Sequence, residues 1–108
     1  MAATAILVLT HLPDREQALA MAKSLVAARL AACVNVGAAV ESMYHWHGEI
    51  ETSLEVPLST KTRSASLRPL EAAIVAWHPY ELPEINAVPF TDGLDRTLHW
   101  ITAETGAP

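Results

Sequence analysis

Apolar residues first gather in a short, nearly continuous run at residues 4–10 (TAILVLT), the pattern of a strand covered on both faces or central in its sheet. Pro13-Asp14 then opens a helix. Asp14 and Gln17 stand at capping-box spacing, and Glu16 occupies the first turn, where the helix dipole favours an acid. Ala18, Met21, Ala22, Leu25 and Val26 recur at helical spacing as a buried stripe, with Arg15, Lys23 and Ser24 left to solvent. The helix is predicted to end near Leu30.

Alternating and β-branched residues follow over 31–47 (AACVNVGAAVESMYHWH), with Gly37 as a bulge or bend. Gly48 allows a tight turn, and residues 50–62 (IETSLEVPLSTKT) return as a second long strand. Along it Ile50, Leu54, Val56 and Leu58 favour one face, and Glu51, Ser53, Glu55, Ser59 and Lys61 mainly the other. Pro57 cannot donate to a ladder, so a bulge or an edge is expected there.

Ser66 is placed to cap a second helix, with Pro69 in its first turn, where a missing N–H costs little. Leu67, Leu70, Ile74 and Trp77 form its core stripe, and His78-Pro79 stops it. Residues 84–90 (EINAVPF) read as a short strand and Asp92-Gly93 as a turn. Leu94, Leu98 and Ile101 mark a last helix. The order β-α-β-β-α-β-α predicts an α+β fold, a ferredoxin-like sandwich with an additional C-terminal helix, as one domain over 1–108.

Composition narrows the function classes. Of the 108 residues 51% are hydrophobic and 18% charged, enough to bury a core. So small and lightly charged a domain gains by hiding further surface in an oligomer. The net charge is −5 and the seven basic residues are scattered singly, so no stripe exists to grip phosphates and nucleic acid is not an expected partner. No apolar run reaches the roughly 18 residues of a membrane span. The N-terminus has no basic residue before its apolar run and reads as a strand instead of a signal peptide. Cys33 is the only cysteine, which rules out an intrachain disulfide. A cytoplasmic protein is expected.

Four places carry candidate chemistry. In a strand, His45 and His47 would share one face about 7 Å apart, within reach of one ion; the alternative is plain packing at a hairpin tip. His78 sits in HPYELPEI, where two prolines stiffen a loop holding Tyr80, Glu81 and Glu84. Imidazole with carboxylate suits Cu(II) or Zn(II); otherwise the loop simply packs and hydrogen-bonds. Cys33 opens a strand inside an apolar block and is expected as a buried structural thiol. Glu55 and Lys61 share a strand face, either to pair across subunits or to line a cleft with Tyr80 and Glu81. An enzyme would have to use His78 with Glu81 or Glu84 as an acid–base pair.

Read together, RLAACVNV, SMYHWHGEIE, the E-V-x-L-x-x-K-T return and HPYELPEI resemble the CutA family of divalent-cation tolerance proteins, essentially end to end. The resemblance implies a PII-like homotrimer whose long hairpin runs between subunits, with Tyr44, Trp46 and Gly48 at the interface. It implies copper or another divalent cation as ligand, and no catalysis. Copper-binding members of the family place ligands on a cysteine ending the first strand and on two adjacent histidines before Pro-Tyr. Here those positions are Thr10, Trp77 and His78, of which only His78 is a good ligand; His11 beside Thr10 is the neighbouring imidazole. The resemblance also implies a lateral cleft near Glu55, Lys61, Tyr80 and Glu81, where PII proteins bind effectors. A PII-like small-ligand sensor and a structural scaffold are the alternative readings.

Overall fold

In the computed structural model, which describes residues 4–106, the sheet is organised around its longest strand, β4 (Glu49–Arg63). The ends of the expected 1–108 domain, 1–3 and 107–108, lie outside the described residues. On one side of β4 runs β1 (Ala5–Leu12), which also pairs with β5 (Asn86–Pro89). On its other side lie β2 (Cys33–Val36) and then β3 (Val40–Trp46). Every pairing is antiparallel and the order is β2-β4-β1-β5. Helix α1 (Arg15–Ala27) carries the chain from β1 to β2 and α2 (Leu67–Trp77) from β4 to β5. That is the ferredoxin-like α+β arrangement, followed by α3 (Asp95–Ala103), which packs against β1 and β4.

Local chemistry explains the elements. Asp14 accepts from the Gln17 amide and from its side chain, both at 2.8 Å, satisfying an N-terminal donor of α1. Ala18, Met21, Ala22 and Leu25 are buried as predicted. Val26 is not: one residue beyond Leu25 turns it about 100° around the helix, into solvent. The helix also stops at Ala27, short of Leu30, because Arg29 takes a left-handed φ of 58° and the Leu30 and Ala31 amides both return to the Leu25 carbonyl. At α2 the chain enters through a 3₁₀ turn (Ser64–Ser66), and Ser66 accepts from Arg63 Nε at 3.4 Å instead of capping the helix. Leu70 and Ile74 are fully buried, but Trp77 is 62% exposed, since the last turn of α2 runs past the core cluster.

The expected strand over 31–47 is broken in two. Residues 37–39 face only 56–57 across the ladder, a one-residue bulge that separates β2 from β3. Gly37 donates to the Pro57 carbonyl at 2.9 Å, and a Cβ there would meet Pro57 Cγ at 2.9 Å. Pro57 is therefore neither bulged nor on an edge: its carbonyl, and with it the side of its missing N–H, faces the break in the neighbouring strand.

The buried core joins Val8, Leu12, Met21, Leu25, Leu58, Leu70 and Ile74, with both crossover helices on one face of the sheet. Of the apolar face predicted along β4, only Val56 and Leu58 are covered; Ile50 is 71% and Leu54 64% exposed. The reason is reach. The β3–β4 hairpin projects beyond the end of β1 and lengthens the molecule to 44 × 26 × 23 Å. Its tip is the two-residue turn His47-Gly48, with φ of 50° and 79°, the backbone of a type I′ hairpin. β5 is shorter than expected, leaving Glu84 and Ile85 in the preceding loop, and Leu94 is exposed at the N-cap of α3.

Candidate functional site

A cleft of about 730 Å³ opens between the hairpin, the end of β1 and the 79–84 loop. β1 contributes His11, the hairpin contributes Tyr44, His45, Trp46 and Glu55, and the loop contributes Tyr80, Glu81 and Glu84. Side-chain alternation decides who faces it. His11 stands beside Pro57 on the sheet face of Glu55, whereas Thr10 points the other way and is completely buried. The walls hold three carboxylates and no lysine or arginine.

His78 anchors this loop. Its backbone N–H still bonds the Ile74 carbonyl as the C-cap of α2, while its extended backbone ends the helix before Pro79. The ring is 9% exposed, and both nitrogens are occupied. Nε2 lies 2.6 Å from the His11 carbonyl oxygen and Nδ1 lies 3.2 Å from the Tyr80 amide. A carbonyl can only accept and an amide can only donate, so the ring is the Nε2–H tautomer with Nδ1 accepting. The Tyr80 ring packs against it at 4.6 Å between centroids.

Tyr80 reaches toward Glu55. Burial first, and then the Glu55 carboxylate beside it, raise the phenol well above its ordinary value of 10.0. The two side chains are close enough to interact, but the hydroxyl and carboxylate do not meet in a fully formed hydrogen bond. At the other end of the cleft, His11 Nδ1 is 3.3 Å from Glu84 Oε1. That nitrogen is buried yet has no hydrogen-bond partner, because the oxygen stands off the ring N–H direction. The second oxygen of Glu84 accepts from Asn86 Nδ2 at 2.9 Å.

The remaining candidates are dispersed. Lys61 does not line the cleft: it pairs with Leu7 and Cys33, about 20 Å along β4 from Glu55 at strand rise. Cys33 is half-buried, not sealed in the core, with Sγ 3.9 Å from Asn35 Oδ1. His47 belongs to the turn and stacks edge-on against Trp46, so the strand alternation that would align it with His45 ends before it. Tyr44, 42% exposed, meets Ser53 Oγ at 3.2 Å across the hairpin.

The three positions that the resemblance assigns to copper do not form a site. Thr10 is sealed in the core with its hydroxyl unpartnered, as is that of Thr60; Trp77 offers no ligand atom; and His78 has no free nitrogen. Among the described residues, no three His, Cys, Asp or Glu side chains converge into a ready-made metal cage. Sequence reasoning picked out Tyr80, Glu81 and Glu55 for the cleft but not the His11–Glu84 contact. Only the parity of β1, placing His11 opposite Thr10, hinted at it.

Residues 6–104 match the family described as CutA1 divalent ion tolerance protein. A relative from Thermus thermophilus, "Divalent-cation tolerance protein CutA", is 40% identical over 92% of this chain and 96% of its own length. "Protein CutA, chloroplastic" from Arabidopsis thaliana is also 40% identical, over 93% of this chain, which spans 55% of that longer protein. The solved Thermus thermophilus structure of the divalent cation tolerance protein superposes with a TM-score of 0.92 at 39% identity, covering 94% of this chain and 99% of that one. Sequence and backbone thus agree over nearly the whole chain, and the chain belongs to the CutA1 family of divalent ion tolerance proteins.

Proposed function

We propose that the chain is a subunit of a homotrimeric, non-enzymatic protein that takes up a divalent cation, copper or zinc, in the cleft beside its hairpin. The lining of the cleft carries this reading. Imidazoles of His11 and His45 and carboxylates of Glu55, Glu81 and Glu84 gather there with no cationic side chain to oppose an ion. Such a wall concentrates cations, and mixed nitrogen and oxygen donors suit Cu(II) and Zn(II). The trimer is supported by the hairpin, whose apolar Met43, Ile50 and Leu54 stand 64–73% exposed along a two-stranded ribbon that is weak alone. Tyr44, Trp46 and Gly48 belong to the same ribbon. An acid–base role for His78 with Glu81 or Glu84 finds no support, because both ring nitrogens are committed to the backbone.

A second reading, a PII-like sensor of a small molecule, is favoured by size: about 730 Å³ falls in the usual range of small-ligand pockets. Copper and zinc titration under light scattering separates the two. Saturable binding by a particle of three subunit masses supports the cation reading. A trimer that binds neither ion sinks it and leaves the small-molecule reading. His78→Ala and a His45→Ala/His47→Ala double variant, titrated alongside, show whether either imidazole position takes part.

A further inference from the structure

We propose that the cleft binds a small organic ammonium ion, its charged nitrogen held against the rings of Tyr44, Trp46 and Tyr80 and the carboxylate of Glu55. The proposal rests on the small-molecule reading of the cleft and names the class of that molecule.

Strand parity brings the rings and the carboxylate to one wall. In the β3–β4 ladder Ser42 faces Ser53, Tyr44 faces Glu51 and Trp46 faces Glu49, so Tyr44 and Trp46 stand on the same side of the ribbon as Glu55. The 79–84 loop closes over that side. After burial, the groups that act on the Tyr80 phenol are Glu55 and then Tyr44, so two tyrosines flank one carboxylate. Trp46 stands further along the same wall.

The opposite side of the ribbon has a different chemistry. Met43, Ile50 and Leu54 project there, in register with Thr52, His45 and Glu41, and all three are exposed. That side supplies the apolar area for a subunit contact. Assembly through it leaves the aromatic side to the cleft.

Glu55 lacks a counter-charge. It is half-buried, it enters none of the ion pairs among the described residues, and Lys61 lies about 20 Å away along β4. Glu84, by contrast, is already engaged by His11 and Asn86. A carboxylate partly withdrawn from water is costly unless a cation stands beside it, and no lysine or arginine lines the cleft to serve.

The rings select the kind of cation. Aromatic faces are electron-rich and attract an ammonium ion within about 6 Å of the ring centre, while alkyl groups on the nitrogen pack against the same rings. A bare metal ion instead needs converging lone pairs, and no three His, Cys, Asp or Glu side chains converge among the described residues. A cleft of about 730 Å³ suits a molecule better than an ion.

The test uses three molecules of similar shape and different charge: choline, uncharged 3,3-dimethylbutan-1-ol and anionic 3,3-dimethylbutanoate. Each is titrated into the full-length protein with a metal chelator present, and amide NMR shifts are followed at Tyr44, Glu55 and Tyr80. Choline is expected to shift these amides and to bind about tenfold tighter than the alcohol, with the butanoate weakest. Glu55→Gln and Tyr44→Leu are each expected to weaken choline by about three- to tenfold. An alcohol or butanoate that binds as tightly as choline overturns the organic cation and leaves a small-molecule site. Wild-type choline affinity in both variants also overturns it. No shift with any of the three overturns this proposal and the small-molecule reading together. Neither substitution touches the buried core, so if one variant fails to fold the other still decides.

Discussion

His78 donates from Nε2 to the backbone carbonyl of His11 across 2.6 Å, tying the end of α2 to the end of β1. The other nitrogen of the same ring receives the Tyr80 amide. One neutral imidazole thus holds two elements and a loop, and the cleft inherits its shape from that bond. His78→Ala leaves a half-buried carbonyl and a half-buried amide without partners, at a cost of about 2–3 kcal/mol. Chemical denaturation at fixed protein concentration is expected to show that loss, together with faster amide exchange at residues 80–82. An unchanged midpoint would remove His78 from this role.

Tyr80 titrates late. Burial, then Glu55, raise its phenol above 10.0 in the folded protein. A folded value above the unfolded one means the neutral phenol's contribution is complete below pH 10 and is lost as pH rises through the folded value. Stability is expected to fall on the alkaline side of pH 10, and phenolate absorbance to show Tyr80 ionising well above pH 10. Glu55→Gln should bring the late tyrosine back toward 10.0; no movement would show that burial acts alone.

Asp14 works at the opposite end of the pH scale. The Gln17 amide, and next the Gln17 side chain, hold its carboxyl below 3.8. With the folded value depressed, the cap contributes fully above pH 3.8 and is lost as pH falls through the folded value. Asp14→Ala is expected to lower the Tm at neutral pH, with the gap from wild type closing in acid. A gap independent of pH would show that the charge of the cap plays no part.

Gly37 and Gly48 are both needed, for different reasons. At Gly37 an added Cβ collides with the Pro57 ring at 2.9 Å, so Gly37→Ala must shift a rigid ring and is expected to cost about 1–3 kcal/mol. At Gly48 there is open space but φ is +79°, so Gly48→Ala strains the turn by only about 1 kcal/mol. Thermal melts rank the two. Equal losses would mean that the steric clash relaxes freely.

The hairpin is the expected assembly element. Ile50→Lys and Leu54→Lys place charge on exposed apolar positions of β4 without touching the buried core. Light scattering is expected to show dissociation toward the mass of one 11.7 kDa subunit. Retention of a trimer by both variants would place the interface elsewhere.

Wherever a residue's neighbours along the chain set its energy, the sequence alone sufficed. Asp14 with Gln17 marks a helix start, alternation sorts the faces of β4, and His78-Pro79 ends α2, because capping, strand parity and proline sterics act over three or four residues. The four family blocks specified the fold for the same reason, each being a local pattern in the right order. Tertiary structure decided what depends on reach and register. Trp77 and Leu54 have apolar spacing but no cover, since only the packed molecule shows where the core ends. The break at Gly37 follows from the Pro57 ring across the ladder. His11 meets Glu84 only because β5 pairs with β1 and the 79–84 loop returns over its end, a juxtaposition that no local pattern encodes.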